Sequence, residues 1–227
     1  MSEGKTLIVD LLRHGEVKAA PGFFGSTDVA LSAKGEAQMA HSIRLNALLR
    51  SLSVDSSVES FTAPWQLIVS SPLQRCRVFA EYLSAKFKIP LAIEAGFKEI
   101  HFGDWEGLTA ERIMEKDPEG FQAYCDAPLD NPPSSGETYA AFDQRIAETW
   151  RNYTRSAFEN PQQQRILVIC HGGVIRTTLR QVLQSPAEMI FSWDCPYGCY
   201  SQIRYFRDKT QQHVSLVSHN SRLKLSE

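Results

Sequence analysis

The sequence TLIVDLLRHGE, residues 6–16, joins an apolar run to an arginine, a histidine and a glycine in direct succession. The run TLIVDLL has the length and aliphatic composition of a buried strand. Arg13 and His14 follow it directly, and two side chains that can both carry a positive charge are costly side by side where water is excluded. An anion between them removes that cost, and we expect this anion to be a phosphoryl group.

Short apolar runs alternate with amphipathic stretches along the rest of the chain. Further strands are predicted at QLIVSS (66–71), RILVIC (165–170), CYSQIRYFR (199–207) and HVSLVS (213–218). Helices are predicted at 32–52, 71–87 and 172–184. Strands that alternate with helices in this way are typical of layered folds. The sequence therefore predicts an α/β fold, namely a three-layer α/β/α sandwich with a mostly parallel sheet.

Residues 104–160 show no strand pattern. They consist of helical stretches that are interrupted by DPEG and by APLDNPPSSGE, which is typical of a segment that covers a sheet. We therefore predict a single domain over residues 1–227, with a helical insertion at approximately 104–160 over the carboxyl edge of the sheet. The polar connector at 53–65 is longer than a usual loop between a helix and a strand.

Serine residues mark the predicted helix starts. Ser32 is expected to cap the first helix, and Ser71 is expected to cap the second, with Pro72 at the first helical position. Ser134 or Ser135 is expected to cap the long helix that follows them.

The composition excludes some classes of function. The formal net charge is −2, without the excess of basic residues that neutralises nucleic-acid phosphates, so we expect no nucleic-acid partner. The N-terminal apolar run stops at Arg13, which is too short for a membrane span, and it lacks the basic start and cleavage site of a signal peptide. We therefore expect no membrane partner and a cytoplasmic location.

The five cysteines are scattered, with no Cys-x-x-Cys pair and no histidines at ligand spacing. We expect reduced thiols, no metal site and no cofactor. A bridge between Cys195 and Cys199 is the alternative that the spacing leaves open.

Unusual polar clusters follow three of the predicted strands. RHG follows the first strand, SSPLQR the second and CHGG the strand at 165–170, each directly before a predicted helix. Ligands of parallel α/β sheets bind at the carboxyl ends of strands, where the first turns of helices favour anions. A fourth cluster, KEIHFGDWEG, opens the predicted insertion. We expect one pocket to hold Arg13, His14, Arg75, His171 and an acid such as Glu99.

These residue types suit phosphoryl transfer without a metal ion. A neutral imidazole can attack phosphorus, arginines can donate in pairs to phosphoryl oxygens, and a carboxylic acid can protonate the leaving alkoxide. Arg13 and Arg75 should lower the pKa of His14. For the acid, the residues alone leave Glu99 in competition with Asp104 and Glu106. Asp10, within the first strand, is expected to be a buried carboxylate with partners rather than a catalyst.

The motifs RHGE, FGSTDVALSAKGEAQ, SSPLQRC, KEIHFGDWEGLT, SSGETYAAFDQRI and CHGGVIR occur in this order along the chain. Together they resemble the histidine phosphatase superfamily, also called the phosphoglycerate mutase-like superfamily, over nearly the whole chain. The resemblance implies that His14 is the phosphohistidine nucleophile and that Glu99 is the proton donor, with structural roles for Asp104 and Glu106. It implies substrate contacts by Arg13, Phe24, Gly25, Arg75, Glu99, His171 and Gly172.

Departures from the family pattern narrow the expected activity. Val17 and Ala19 stand where the acid phosphatase and phytase branch has an arginine and a proline. Ala110 stands in place of a lysine of the mutases, and FQAYCDAP (121–128) lacks their arginine pair. A phosphatase is therefore favoured over a mutase.

Softer motifs are similar to those of bacterial α-ribazole-5′-phosphate phosphatases, namely VDLLRHGE, DPEGFQAYCDAP and SPAEMIFSWDCPYGC. This likeness implies a metal-independent phosphomonoesterase that acts on α-ribazole 5′-phosphate in cobalamin biosynthesis. The alternatives are a broad-specificity sugar or nucleotide phosphatase, a mutase-like enzyme, and a catalytically weak binding module.

Overall fold

The structure is a computed structural model, and it describes residues 4–48 and 63–220. The predicted end of the first helix, residues 49–52, lies outside the described residues. The same holds for the connector predicted at 53–65, apart from its last three residues.

A six-stranded mixed sheet forms the centre of the described structure, in the order β3-β2-β4-β1-β5-β6. Its strands are β1 (Lys5–Arg13), β2 (Leu67–Ser70), β3 (Leu91–Ile93), β4 (Arg165–Cys170), β5 (Tyr200–Arg207) and β6 (Gln212–Ser218). Strands β1 to β4 are parallel, whereas β5 runs antiparallel to both of its neighbours. The predicted, mostly parallel sheet is confirmed. Strand β3 was not predicted, because its three residues, Leu91–Ile93, are too few to show a strand pattern.

Helices cover both faces of this sheet. They are α1 (Ala33–Leu48), α2 (Gln74–Phe87), α3 (Ala110–Lys116), α4 (Pro118–Asp126), α5 (Tyr139–Glu159) and α6 (Gly172–Val182), with 3₁₀ turns at Ala95–Phe97, Gly103–Trp105 and Ala187–Ser192. Side chains of α1 and α2 form one apolar core with β2 and β4, and side chains of α5 and α6 form a second core with β1. This arrangement confirms the predicted three-layer sandwich. None of the helices within the described ranges has the length and apolar character needed to cross a bilayer.

The first two helix starts differ in how they are capped. The Oγ atom of Ser32 accepts a hydrogen bond from the Gly35 backbone N–H at 3.0 Å, as predicted. The second helix begins later than predicted, at Gln74, and the carboxylate of Asp28 accepts from the Gln74 N–H at 2.7 Å. The prediction that Ser71 caps this helix is wrong, because its hydroxyl lies against a histidine of the candidate site.

The long helix α5 is capped by Thr138, whose Oγ1 accepts from the Ala141 N–H at 3.2 Å. The prediction of Ser134 or Ser135 for this role is wrong. Both serines belong to the preceding turn, in which Ser135 has a φ of 58°.

Asp10 is fully buried in β1 and has the partners that the sequence analysis expected. Its Oδ2 accepts from Arg165 Nε at 2.6 Å and from Trp65 Nε1 at 2.7 Å, and its Oδ1 accepts from Gln202 Nε2 at 2.7 Å. Because Arg165 lies in β4 and Gln202 in β5, the carboxylate joins β1 to both neighbouring strands.

The loop after β1 fits closely against the start of α1. A Cβ atom added to Gly15 would overlap the carbonyl oxygen of Gly35, and one added to Gly35 would overlap the carbonyl oxygen of Glu16. Only glycine allows the two backbones to approach so closely. This contact fixes the loop that carries His14 relative to the helical layer.

Residues 104–160, all of which are described, contain helices and turns but no strand. The segment that precedes α5 packs through aromatic side chains. The Trp105 ring lies 5.7 Å from the Phe121 ring, 5.3 Å from the Tyr124 ring and 6.2 Å from the Phe23 ring, between centroids. Helices α3 and α4 are thereby held beside the loop that follows His14.

Candidate active site

The two predicted histidines lie side by side at the carboxyl edge of the sheet. Strands β1 and β4 pair with Arg13 opposite Cys170, so the next residue of each strand is a histidine. The ring centroids of His14 and His171 are 5.2 Å apart. Parallel pairing therefore brings together two residues that are 157 positions apart in the sequence.

The His14 ring has one nitrogen free to act as a nucleophile. Its Nδ1 lies 2.8 Å from the Gly15 carbonyl oxygen; a carbonyl can only accept, so Nδ1 carries the proton and Nε2 keeps its lone pair. Burial, followed by the charges of Arg13 and Arg75, holds the pKa of His14 well below its usual value. The predicted effect of the two arginines is confirmed, although burial is the larger cause.

Arg13 is oriented by the loop before β5. Its Nη1 donates to the Cys195 carbonyl, and its guanidinium lies 4.4 Å from the centroid of the Tyr197 ring. Its Nε is buried and has no hydrogen-bond partner among the described residues. A Cβ atom added to Gly172 would lie 3.2 Å from this Nε. An unpartnered donor beside the first residue of α6 is suited to an anion.

Arg75 is fully buried (0% exposed), and backbone carbonyls engage both of its Nη groups. Nη1 donates to Thr27 at 2.7 Å, and Nη2 donates to Gly25 at 2.6 Å and to Phe24 at 3.2 Å. Nε donates to His171 Nδ1 at 3.3 Å. The sequence analysis assigned paired Arg75 donors to a phosphoryl group, whereas in this structure these donors hold a loop and a histidine.

The contact with Arg75 also determines the tautomer of His171. Because arginine can only donate, Nδ1 of His171 is the acceptor, and Nε2 carries the proton. That proton is directed at the Ser71 hydroxyl, 2.8 Å from Nε2. Burial and then the Arg75 charge lower the pKa of His171 well below its usual value. Both histidines are therefore neutral near pH 7.

Glu99 lies at the amino end of α6. Its Oε2 accepts from the Gly173 backbone N–H at 2.9 Å, and its Oε1 accepts from the Ile100 N–H at 3.1 Å. A Cβ atom at Gly173 would overlap the Glu99 carboxylate. Of the three acids in competition, Glu99 lines the cavity beside His14, whereas Asp104 and Glu106 do not.

A cavity of about 540 Å³ opens beside His14. Its wall contains several aromatic side chains, among them Phe23, Phe24, Phe102, Tyr124, Phe191 and Tyr197. The charged residues in the wall are Arg13, Glu99, Glu111, Glu137 and Arg176.

Among residues 4–48 and 63–220, no three His, Cys, Asp or Glu side chains lie close enough together to hold a metal ion. None of the five cysteines, all of which lie within the described residues, is in a disulfide.

The predicted site residues occupy two positions relative to this cavity. Arg13, His14, Phe24, Glu99 and Gly172 line it. Gly25, Arg75 and His171 lie behind the wall, where Gly25 and His171 contact Arg75.

Sequence reasoning missed three residues of the wall. Arg176 and Gly173 belong to the CHGGVIR motif, and their helical spacing from His171 was a usable signal. Tyr197 gave no signal, because only the return of the chain to β5 brings it over Arg13.

The low pKa of His14 leads to a prediction about pH. A lowered pKa favours the neutral ring, so the His14 imidazole should stay unprotonated as the pH falls to and below about 6.5, the usual value for histidine. An NMR titration of the ring, assigned with a His14→Gln variant, should give a midpoint below that value. A midpoint at or above it would contradict the electrostatic description of the site.

Comparisons with known proteins identify the family of this chain. The family model of the histidine phosphatase superfamily (branch 1) matches residues 9–218. The adenosylcobalamin/alpha-ribazole phosphatase of Escherichia coli (strain K12) is 29% identical over 214 residues, covering 93% of this chain and 95% of the relative. Phosphoserine phosphatase 1 of Hydrogenobacter thermophilus is 25% identical over 195 residues, covering 85% of this chain and 84% of the relative.

A solved structure extends the likeness to the fold. The crystal structure of the alpha-ribazole phosphatase from Shigella flexneri superposes with a TM-score of 0.75 and 27% identity, covering 95% of this chain and 96% of that one. The family match spans both histidines, both arginines and Glu99. The chain therefore belongs to the histidine phosphatase superfamily (branch 1) and is a phosphatase.

Proposed function

We propose that this phosphatase hydrolyses α-ribazole 5′-phosphate through a phosphohistidine formed on His14, without a metal ion. The observation that carries the proposal is the large aromatic cavity directly beside a neutral His14 whose Nε2 is free to attack. The similarity to α-ribazole phosphatases of two bacteria supports the choice of substrate.

In the first step, His14 Nε2 attacks phosphorus and the bond from phosphorus to the ester oxygen breaks. Arg13 Nε, which has no protein partner, donates to a phosphoryl oxygen, and the charge of Arg75 stabilises the developing negative charge from behind the wall. Glu99, in its protonated form, gives its proton to the departing alkoxide. The products of this step are the free alcohol, phosphohistidine and the Glu99 carboxylate.

In the second step, water attacks the phosphohistidine. The Glu99 carboxylate takes a proton from this water, the bond from nitrogen to phosphorus breaks, and inorganic phosphate leaves. His14 returns to its neutral form with the proton still on Nδ1, where the Gly15 carbonyl holds it. Glu99 ends the cycle protonated, ready for the next substrate.

The wall of the cavity suits the alcohol that this ester releases. α-Ribazole carries a flat dimethylbenzimidazole on a ribose, and aromatic side chains bind flat rings by offset or edge contacts. Glu111 lines the same cavity, and its carboxylate disfavours a second anionic group such as the carboxylate of 3-phosphoglycerate.

We expect kcat/KM for α-ribazole 5′-phosphate to exceed that for 3-phosphoglycerate by at least about tenfold, which corresponds to about 1.4 kcal/mol of transition-state binding. The assay is steady-state phosphate release from each substrate, with EDTA present throughout. Equal efficiencies would leave a general phosphatase, and loss of activity with EDTA would contradict the metal-independent mechanism.

A matched pair of variants tests whether the cavity wall makes this choice. Phe191 is 54% exposed at the cavity, whereas Phe206 is 38% exposed on β5, outside the cavity. Phe191→Ala should lower kcat/KM for α-ribazole 5′-phosphate and leave that for p-nitrophenyl phosphate nearly unchanged. Phe206→Ala should change neither.

A second candidate function is a phosphatase of broader specificity. The position of Arg176 in the cavity wall favours it. Its Nε donates to the Trp193 carbonyl at 3.0 Å, and the side chain lines the cavity. A guanidinium in that position can pair with a carboxylate, as phosphoserine would supply. A screen in which Arg176→Met lowers activity on phosphoserine, while α-ribazole 5′-phosphate is a poor substrate, would establish this candidate instead.

A further inference from the structure

Glu106 is the acceptor of six hydrogen bonds, although it does not line the cavity. Its Oε1 accepts from the backbone N–H groups of Ser26 (2.7 Å) and Phe102 (3.0 Å) and from the Ser26 hydroxyl (3.3 Å). Its Oε2 accepts from the N–H groups of Gly25 and Thr27, both at 3.1 Å, and from the Thr27 hydroxyl at 2.6 Å. Burial raises the pKa of Glu106, but these hydrogen bonds outweigh it and lower the pKa below its usual value. The group is therefore a carboxylate.

The loop that binds Glu106 on one side binds Arg75 on the other. The peptide unit between Phe24 and Gly25 donates its N–H to Glu106 and presents its carbonyl to Arg75 Nη2. The unit between Gly25 and Ser26 does the same. In a planar trans peptide, N–H and C=O point in opposite directions, so fixing one end fixes the other.

We propose that Glu106 is a positioning residue that holds Arg75 beside the two histidines through these peptide units. Its carboxylate orients the N–H groups of Gly25 and Ser26, and the carbonyls of the same two peptide units then hold Nη2 of Arg75. The inference rests on the proposed role of His14 as the nucleophile that Arg75 serves.

The loop at residues 24–27 is closely surrounded by its neighbours, which supports a fixed position for these peptide units. A Cβ atom added to Gly25 would overlap the Ile100 carbonyl and would lie 2.6 Å from Glu106 Oε1. The backbone at Gly25 therefore lies too close to its neighbours to turn without displacing them. Glutamine cannot replace Glu106, because its NH₂ group would face two of the backbone N–H groups in either orientation.

The test is a Glu106→Gln variant, with NMR titration of the His14 ring as the first measurement. The titratable or charged groups around this ring are Arg13, Arg75, His171 and Tyr197, with Glu99 lining the same cavity. A displaced Arg75 charge should raise the midpoint of His14 by about 0.5 to 1 pH unit. If Glu106 acted only in folding, the titration midpoint of His14 would stay unchanged in the folded variant.

The second measurement is kinetic. We expect kcat/KM of Glu106→Gln on p-nitrophenyl phosphate to fall by about 10- to 100-fold, which is the size expected when a positioning contact is lost near the reacting atoms. The matched control is Asp117→Asn, because Asp117 is also a capping carboxylate, with Oδ1 3.0 Å from the Gly120 N–H, but lies outside the cavity wall. It should leave the midpoint and kcat/KM unchanged.

Two outcomes would overturn the proposal: a folded Glu106→Gln protein with both values as in the wild type, or an equal change in Asp117→Asn. If Glu106→Gln fails to fold, as judged by circular dichroism, Thr27→Val takes its place. That variant removes the 2.6 Å hydroxyl bond to Glu106, and it should shift His14 in the same direction by less. A folded Thr27→Val protein without a shift would overturn the proposal too.

Failure of the proposed function gives a different result. If His14→Gln retained activity, the phosphohistidine mechanism would be wrong, whereas the shift of the His14 midpoint in Glu106→Gln would still show that Glu106 positions Arg75.

Discussion

Replacing His14 with alanine should reduce turnover by on the order of 10⁴-fold or more, because it removes the covalent route altogether. His171, the other histidine of the site, cannot take over the attack. The Nδ1 atom of His171 accepts from Arg75, and its Nε2 carries a proton directed at Ser71. The measurement is phosphate release from p-nitrophenyl phosphate, together with an alkaline detergent quench of a reaction with ³²P-labelled substrate, which preserves phosphohistidine because this species is stable in base and labile in acid.

The wild-type enzyme should yield labelled protein in this quench, and His14→Ala should yield none. His213→Ala is the matched control, since His213 is an exposed histidine on β6, outside the cavity wall. That variant should keep wild-type turnover and labelling. Near wild-type activity in His14→Ala would show that the covalent mechanism is wrong.

Replacing Glu99 with glutamine should slow turnover of an alkyl phosphate by about 10² to 10⁴-fold, because the departing alkoxide then receives no proton. The amide oxygen can still accept from the Gly173 N–H, which keeps that contact, while the NH₂ group faces the Ile100 N–H. p-Nitrophenolate is a stable leaving group that needs no proton, and we expect its release to slow by less than about tenfold. The difference between the two substrates separates proton donation from misplacement.

The control for Glu99 is Glu94→Gln. Glu94 caps the preceding 3₁₀ turn by accepting from the Gly96 N–H at 2.8 Å, and it lies outside the cavity wall. Both substrates should react at wild-type rates in this variant. An equal loss on the two substrates in Glu99→Gln would assign Glu99 a structural role only.

Much of the fold was predictable because each main strand is a continuous aliphatic run. RILVIC is fully buried and forms β4 with the predicted ends. The carboxyl-end rule then brought Arg13, His14 and His171 to one edge, which the structure confirms. Choosing Glu99 over Asp104 and Glu106 required the family resemblance, since all three acids lie within one short segment. In the structure, Glu99 contacts the first turn of α6 and lines the cavity, whereas neither Asp104 nor Glu106 lines it.

Long-range packing accounts for the features that the sequence did not predict. Ser71 is a residue type that often caps helices, yet its hydroxyl pairs with His171, which directly follows β4 and lies 100 residues away in the sequence. Tyr197 lies over Arg13 only because β5 returns antiparallel to β1. Backbone carbonyls of residues 24–27 accept from both Nη groups of Arg75. The local sequence of this loop gives no sign of that contact.

The separation of Arg75 and His171 from the cavity wall has a consequence for how such an enzyme can change. Arg75 and His171 lie behind the wall, whereas Tyr124 in α4 and Phe191 in a 3₁₀ turn belong to separate segments that form part of its surface. Substitutions in those segments can alter the preferred alcohol without disturbing the phosphoryl chemistry. A directed-evolution library restricted to α4 and the 3₁₀ turn at Ala187–Ser192 should therefore yield active variants with new substrate ranges far more often than one that includes residues 25–27.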